Sequence, residues 1–238
     1  MNALHLMQRQ LPVLFDVDAD GRLRTVAEPG YLAGERDPAP RFFMGRTSEG
    51  NVWRVRHDVP DDLVRTLDEL CLAEPATSDF TRTPVRATAV RAVLSSHAPV
   101  TAEERGPAYW IPEDPPLLGE AVLVNDDNAH LLEAHFPRRR HSRAGFRFGP
   151  VVAALEGGVA VSLCYCARFA PDAAEAGVET VEAARGRGNA SAAVALWARA
   201  VREGGRTPLY STSWSNVASQ GVARKVGAAM YGEDWWID

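Results

Sequence analysis

Two hydrophobic periodicities divide this chain. Strand-length apolar runs come early: residues 14–17 and 23–26 flank Asp20-Gly21 and read as a hairpin, and residues 41–46 and 51–57, joined through Glu49-Gly50, read as a second. Helical spacing follows Pro60. It predicts an amphipathic helix over 61–71, with Asp61 or Asp62 as its cap, and another helix over 85–95. Gly106, Pro107, Pro112, Pro115 and Pro116 then read as a loop-rich bridge, which places a boundary near Pro116 between regions 1–116 and 117–238.

Beyond that boundary the pattern predicts a strand over 120–125, a helix over 126–136 carrying Leu131 and Leu132, and a hairpin of 151–155 and 159–169 turning at Glu156-Gly157-Gly158. A strand over 176–181 leads into Arg185-Gly186-Arg187-Gly188-Asn189-Ala190. Ala190, Ala193, Val194, Trp197, Ala200 and Val201 then recur at helical spacing, so the glycines sit at a helix start. A strand over 208–214 precedes a helix that Asn216 would cap and Gly227 would stop. Residues 234–237 would close the sheet as its last strand, with the tryptophans in the core. The fold class is α+β.

A helix start preceded by glycines is a phosphate cradle: its first N–H groups lack intrahelical partners, the helix dipole adds partial positive charge, and absent Cβ atoms allow close approach. The plain alternative is a glycine turn needed only for steric reasons. Neither Gly-x-Gly-x-x-Gly nor Gly-x-x-x-x-Gly-Lys-Ser/Thr is present, so the Rossmann and P-loop sites are not supported. What is present is Arg-x-x-Gly-x-Ala.

Composition narrows the classes. A hydrophobic share of 46% in 238 residues supports a real core, and the apolar runs fall short of a membrane span. The first residues lack a basic segment followed by a long apolar run, so the expected compartment is the cytoplasm. A net charge of −5 disfavours nucleic acid as a partner; the basic run Arg138-Arg139-Arg140-His141-Ser142-Arg143 is the local exception and reads first as a solvated loop. Cys164 and Cys166 share a strand face without a second ligand pair, and His130 and His135 fall on different helix faces, so no metal site is expected.

Arg185, Gly188 and Ala190 fall on the Arg/Gln-x-x-Gly-x-Gly/Ala motif of the GNAT superfamily of N-acetyltransferases, and residues 119–238 resemble that family. Asn216-Val217-Ala218-Ser219 and Lys225-Val226-Gly227 resemble its later Asn-x-x-Ala/Ser helix ending in Lys-x-Gly. The resemblance implies a mixed, mostly antiparallel sheet flanked by helices, with acetyl-CoA as co-substrate. The first region would be α+β, shaping the acceptor pocket or forming a diverged GNAT-like half. Main-chain groups of Val178, Glu179 and Thr180 would pair with the pantetheine arm. Gly186, Arg187, Gly188, Asn189, Ala190 and Ser191 would hold the diphosphate beside Arg185. Asn216 would bond the arm near the thioester, and Ser219 would line its path.

The implied reaction moves an acetyl group to a primary amine of a small molecule or peptide, by direct transfer in a ternary complex. A base on the strand before the cradle is needed, and Glu175 or Glu179 are the candidates; they share parity on an extended strand. The family's acid is a tyrosine whose place is taken here by Ala223, which leaves Tyr210, Ser213, Tyr231 or water. An acyl-CoA sensor or interaction module without efficient turnover is the rival reading. A homodimer is compatible with either.

Overall fold

The computed structural model describes residues 2–27, 36–117, 119–138 and 148–238. Its elements are α1 (Ala3–Leu14), β1 (Phe15–Val17), β2 (Leu23–Val26), β3 (Phe42–Thr47), β4 (Gly50–Val55), α2 (Asp61–Leu72), α3 (Ala87–His97), β5 (Glu103–Trp110), β6 (Ala121–Leu123), β7 (Val151–Glu156), β8 (Val159–Phe169), β9 (Ala173–Thr180), α4 (Asn189–Glu203), β10 (Thr207–Ser211), α5 (Val217–Lys225) and β11 (Ala229–Ile237). Short 3-10 turns span Ala129–Leu132 and Glu182–Ala184.

β1 and β2 form a separate ribbon; the other strands form one sheet in the order β4-β3-β11-β5-β10-β9-β8-β7-β6. Every neighbouring pair runs antiparallel except β9 and β10, which run parallel. Strand alternation divides the core in two. Phe43, Leu209 and Ala173 pack under α1, and Ala153 and Leu163 pack under the 129–132 turn. On the opposite face Cys164, Tyr210 and Trp197 pack with α4 and α5, while Phe42, Met44 and Trp235 pack with α2 and α3. Each large side chain removed from water on these faces contributes about 1.5–3 kcal/mol.

Five sequence expectations change. The glycine and proline of the supposed bridge lie inside β5, a central strand between β10 and β11. Gly106 is there because no side chain fits: a Cβ would stand 1.8 Å from the Thr212 carbonyl oxygen. The helix expected over 126–136 is only the 129–132 turn, because Asn125 and Asn128 take up the preceding amides: Asn125 Oδ1 accepts from Asp127 N, and Asn128 Oδ1 from Asn125 N. β11 does not close the sheet but sits inside it, between β3 and β5, with Trp235 fully buried. The α1 helix, which carries Pro12, is not among the elements that the sequence pattern predicts; burial of Leu6, Met7 and Leu11, with Asn2 Oδ1 capping His5 N, holds it. Neither Asp61 nor Asp62 caps α2 through its side chain: Pro60 is the N-cap residue and both acids lie in the first turn, where the helix dipole favours them.

Gly106→Ala is expected to lower the unfolding free energy by about 1–3 kcal/mol through overpacking against the Thr212 main chain. Denaturant titration reads this as a lower midpoint at unchanged slope; an unmoved midpoint would mean the contact yields freely.

Candidate functional site

A fork in the sheet makes the site. β9 and β10 pair only over Thr207↔Ala173, Pro208↔Ala174 and Leu209↔Glu175. Beyond that rung β9 stays with β8 as far as Thr180, while β10 stays with β5 as far as Ser211. The strands separate, and the edge of β9 that β10 leaves, at Val178, Glu179 and Thr180, borders a cleft of about 690 Å³. Val178, Glu179, Thr180, Arg185, Gly186, Gly188, Asn189, Ala190, Ser191, Asn216 and Ser219 all line it, joined by Tyr210 and Lys225.

The cleft's floor is the start of α4. Gly186 and Gly188 hold φ of 77° and 95°, a left-handed backbone that a side chain resists, and a Cβ on either would meet nothing within 4 Å. No side chain caps α4, and the N–H groups of Asn189, Ala190 and Ser191 meet no acceptor among the described residues. Arg187 is not in the lining: its guanidinium pairs with Glu156 (3.0 Å) and bonds the Ala183 carbonyl. Asn189 Nδ2 reaches the same Glu156 (2.6 Å) and the Ala184 carbonyl, so β7 anchors the loop. Arg185 and Lys225 remain as cations facing the cleft. Open glycines, unpaired amides and two cations fit a diphosphate, and the free strand edge fits an amide-bearing arm such as that of coenzyme A.

The opposite wall is α5. Asn216 Oδ1 accepts from Ser219 N (3.0 Å), so the residue caps the helix while lining the cleft. Ser219 Oγ lies 2.6 Å from the Tyr210 hydroxyl, and burial pushes that phenol up to about 12, opposed by the Ser219 bond. Tyr210 therefore stays protonated at neutral pH. Gly221 lines the cleft too, where a side chain would take room. Ala223 is fully buried.

The carboxylates part company despite their shared parity. Glu175 stands on the last rung before the fork, is 3% exposed, and accepts from Ser211 Oγ at 2.5 Å, bridging β9 to β10. Its Oε2 is buried without a partner among the described residues. Burial raises its pKa, opposed by the Ser211 hydroxyl and the Arg168 charge. Glu179 instead accepts from the Tyr165 hydroxyl at 3.0 Å. Tyr231 is buried under α1, donating to Gln10 Oε1 (2.6 Å), and Ser213 Oγ lies 2.9 Å from Ser215 Oγ. The basic run at 139–143 lies outside the described residues.

A second cavity of about 500 Å³ opens on the α1 face, bordered by Ser211, Thr212, Ser213, Arg168, Asp234 and Trp236. Alternation along β10 thus turns Tyr210 toward the cleft and Ser211 toward this cavity. Asp234 was read only as part of a core strand. Gln10 Nε2 donates to its Oδ2 (2.9 Å), its Oδ1 is buried without a partner, and burial, then the nearby Glu175 charge, pushes its pKa well up. Ser211, Arg168 and Asp234 escaped sequence reasoning because no local motif marks them, whereas Lys225 belongs to the Lys-x-Gly end of the later helix. An acid beside tryptophans on a strand was the one available signal.

Glu175 generates a pH prediction. Above about 4.5 the unfolded chain has released this proton while the native chain retains it, so the native state binds more protons and stability falls as pH rises toward the raised native value. Asp234 acts in the same direction, starting from 3.8. Glu175→Gln, which stays neutral, is expected to flatten the decline in unfolding free energy above pH 4.5. An unchanged slope in denaturant titrations across pH would contradict it.

Neither a protein-family model nor a curated protein matches the sequence. Solved structures match in fold. A GCN5-related N-acetyltransferase from Kribbella flavida is 17% identical over 100% of this chain and 95% of that one, with a TM-score of 0.51. A GCN5-related N-acetyltransferase-like protein from Streptococcus suis is 14% identical over 84% of this chain and 85% of that one, with a TM-score of 0.46. A GNAT-family structure from Novosphingobium aromaticivorans is 18% identical over 58% of this chain, with a TM-score of 0.43; this chain spans 65% of its length, just under two thirds. With the Kribbella protein matched from end to end around a mostly antiparallel, helix-flanked sheet, this chain has the GNAT fold.

Proposed function

We propose that this protein is an acetyl-CoA-dependent N-acetyltransferase that acts on a primary amine by direct transfer in a ternary complex. The observation that carries the reading is the unpaired α4 amide cluster behind Gly186 and Gly188, set beside the free β9 edge inside the fork. Arg185, Lys225 and the amides of Gly186, Gly188, Asn189, Ala190 and Ser191 would hold the diphosphate; Arg187 supports the loop through Glu156. Val178, Glu179 and Thr180 would pair with the pantetheine arm, between the strand edge and the α5 wall of Asn216 and Ser219. The co-substrate supplies an acetyl thioester.

Glu175 is the base. Its raised pKa suits a group that collects a proton, and it stands at the fork bonded to Ser211, which borders the α1-face cavity. The carboxylate takes a proton from the amine, whose lone pair attacks the thioester carbonyl carbon; the C–N bond forms as the C–S bond breaks. Tyr210, kept protonated, gives its proton to the departing thiolate, and solvent restores both groups. Glu179, tied to Tyr165, shapes the strand rather than the proton path. Buried Ala223, where the resemblance places a tyrosine, favours the second reading, an acyl-CoA-binding module with little turnover.

Calorimetry with coenzyme A and a free-thiol assay over an amine panel test both readings. Micromolar binding with amine-dependent thiol release is expected; binding without release favours the module, and no binding removes both. Gly188→Ala is expected to weaken coenzyme A about tenfold or more, since a side chain at that φ costs about 1–3 kcal/mol and enters the cradle. Glu175→Gln is expected to lower kcat about 10²–10⁴-fold while the acetyl-CoA Kd stays within about twofold. Unchanged turnover would place the base elsewhere.

A further inference from the structure

We propose that the α1-face cavity is the acceptor site, that it takes a small primary amine with an apolar body, and that Asp234 is the group that selects the ammonium. The chemistry assigned to the bound amine rests on the transferase reading; the selectivity does not.

The cavity is built for one cationic head. Asp234 Oδ1 and Glu175 Oε2 are both enclosed without a donor, although Gln10 and Ser211 satisfy the partner oxygens. A buried acceptor left unmade costs about 1–3 kcal/mol, so one in the lining, Asp234, and a second behind Ser211, Glu175, call for a donor from outside. An ammonium offers three N–H groups and a positive charge to the pair. Neighbouring charges leave the requirement standing. Arg105 is bound to Glu233 (2.7 Å) and Asp238 to Arg56 (2.9 Å). Arg168 is the remaining cation in the lining; its charge acts on both Glu175 and Asp234, and it makes no ion pair among the described residues.

The walls set the rest of the acceptor. Leu14, Phe15, Phe43 and Trp236 present carbon to the cavity, and about 500 Å³ lies in the range of small-ligand sites. Glu175 reaches Ser211 from the fork, so an amine held between Asp234 and Glu175 presents its nitrogen to the end of the cleft. Asp234 is a positioning residue here, acting on the charged amine before the ammonium releases its first proton to solvent; Glu175 takes the second as the C–N bond forms.

The test titrates the full chain, with and without saturating coenzyme A, against 2-phenylethylamine and its uncharged counterpart 2-phenylethanol. The amine is expected to bind at least tenfold more tightly than the alcohol. Asp234→Asn is expected to remove that preference and to raise the KM for amine at least tenfold, with kcat changed less than threefold and the coenzyme A Kd unchanged. Equal binding of amine and alcohol by the native protein would overturn the proposal even if the variant failed to fold, as would an Asp234→Asn protein that keeps the preference. Tighter binding of a peptide N-terminus than of the small amine would overturn the small-molecule assignment. Loss of coenzyme A binding alone would remove the transferase reading while leaving the amine preference measurable.

Discussion

Everything the site does depends on β9 and β10 pairing for three rungs and then parting. A parallel pair inside a sheet would normally continue, because an unpaired strand edge leaves amide and carbonyl groups without partners. Here each strand is held from outside, β9 by β8 and β10 by β5, so separation opens a gap without loosening either ladder. The Glu175–Ser211 bond marks the rung where pairing ends. A strand edge open within a sheet is the natural place to receive another extended, amide-bearing chain. The two-residue period of β10 then decides which side chain meets which space: Tyr210 one side, Ser211 the other.

Electrostatics follows the same partition. On the cleft side, acids are used to hold cations in place: Glu156 binds both Arg187 and Asn189, which fixes the glycine loop and leaves Arg185 and Lys225 facing the gap. On the α1 side the balance reverses. Glu233 and Asp234 are consecutive on β11 and point to opposite faces, and their surroundings differ accordingly. Glu233 is fully buried and meets Arg46 (2.6 Å), Arg105 (2.7 Å) and the Trp214 indole (2.7 Å), which tie β3, β11 and β5 together. A buried carboxylate so surrounded has its charge compensated. Asp234 has one amide donor and one empty oxygen, so the acid next in sequence is the one left available.

Local signals made the glycine-loop side of the site legible. Arg185, Gly186, Gly188 and the helical stripe after them act within one turn, and Asn216 caps its helix by a bond spanning three residues. Elements that exist through distant partners were not legible in the same way. β5 contains the residues of a loop, yet Gly106 serves a contact with Thr212 more than a hundred positions away. α1 contains a proline, and what keeps it helical is the sheet beneath it. Asp234 becomes unusual only when Gln10, from that unforeseen helix, takes one of its oxygens.

The pair of glutamates on β9 carries this lesson into the chemistry. Glu175 and Glu179 are equivalent by alternation, and nothing in five consecutive positions separates them. What separates them is the position of the fork, set by hydrogen bonds from β10, and the neighbours each meets across β8 or β10. Glu179 lies past the fork, where Tyr165 from β8 donates to it, while Glu175 lies on the last closed rung, enclosed by both neighbouring strands. Enclosure is what raises a carboxyl's pKa toward the range where it can take a proton from an amine. The same rung that ends the pairing therefore encloses the proposed base, so any substitution that extends the β9–β10 ladder would close the cleft and displace the carboxylate together.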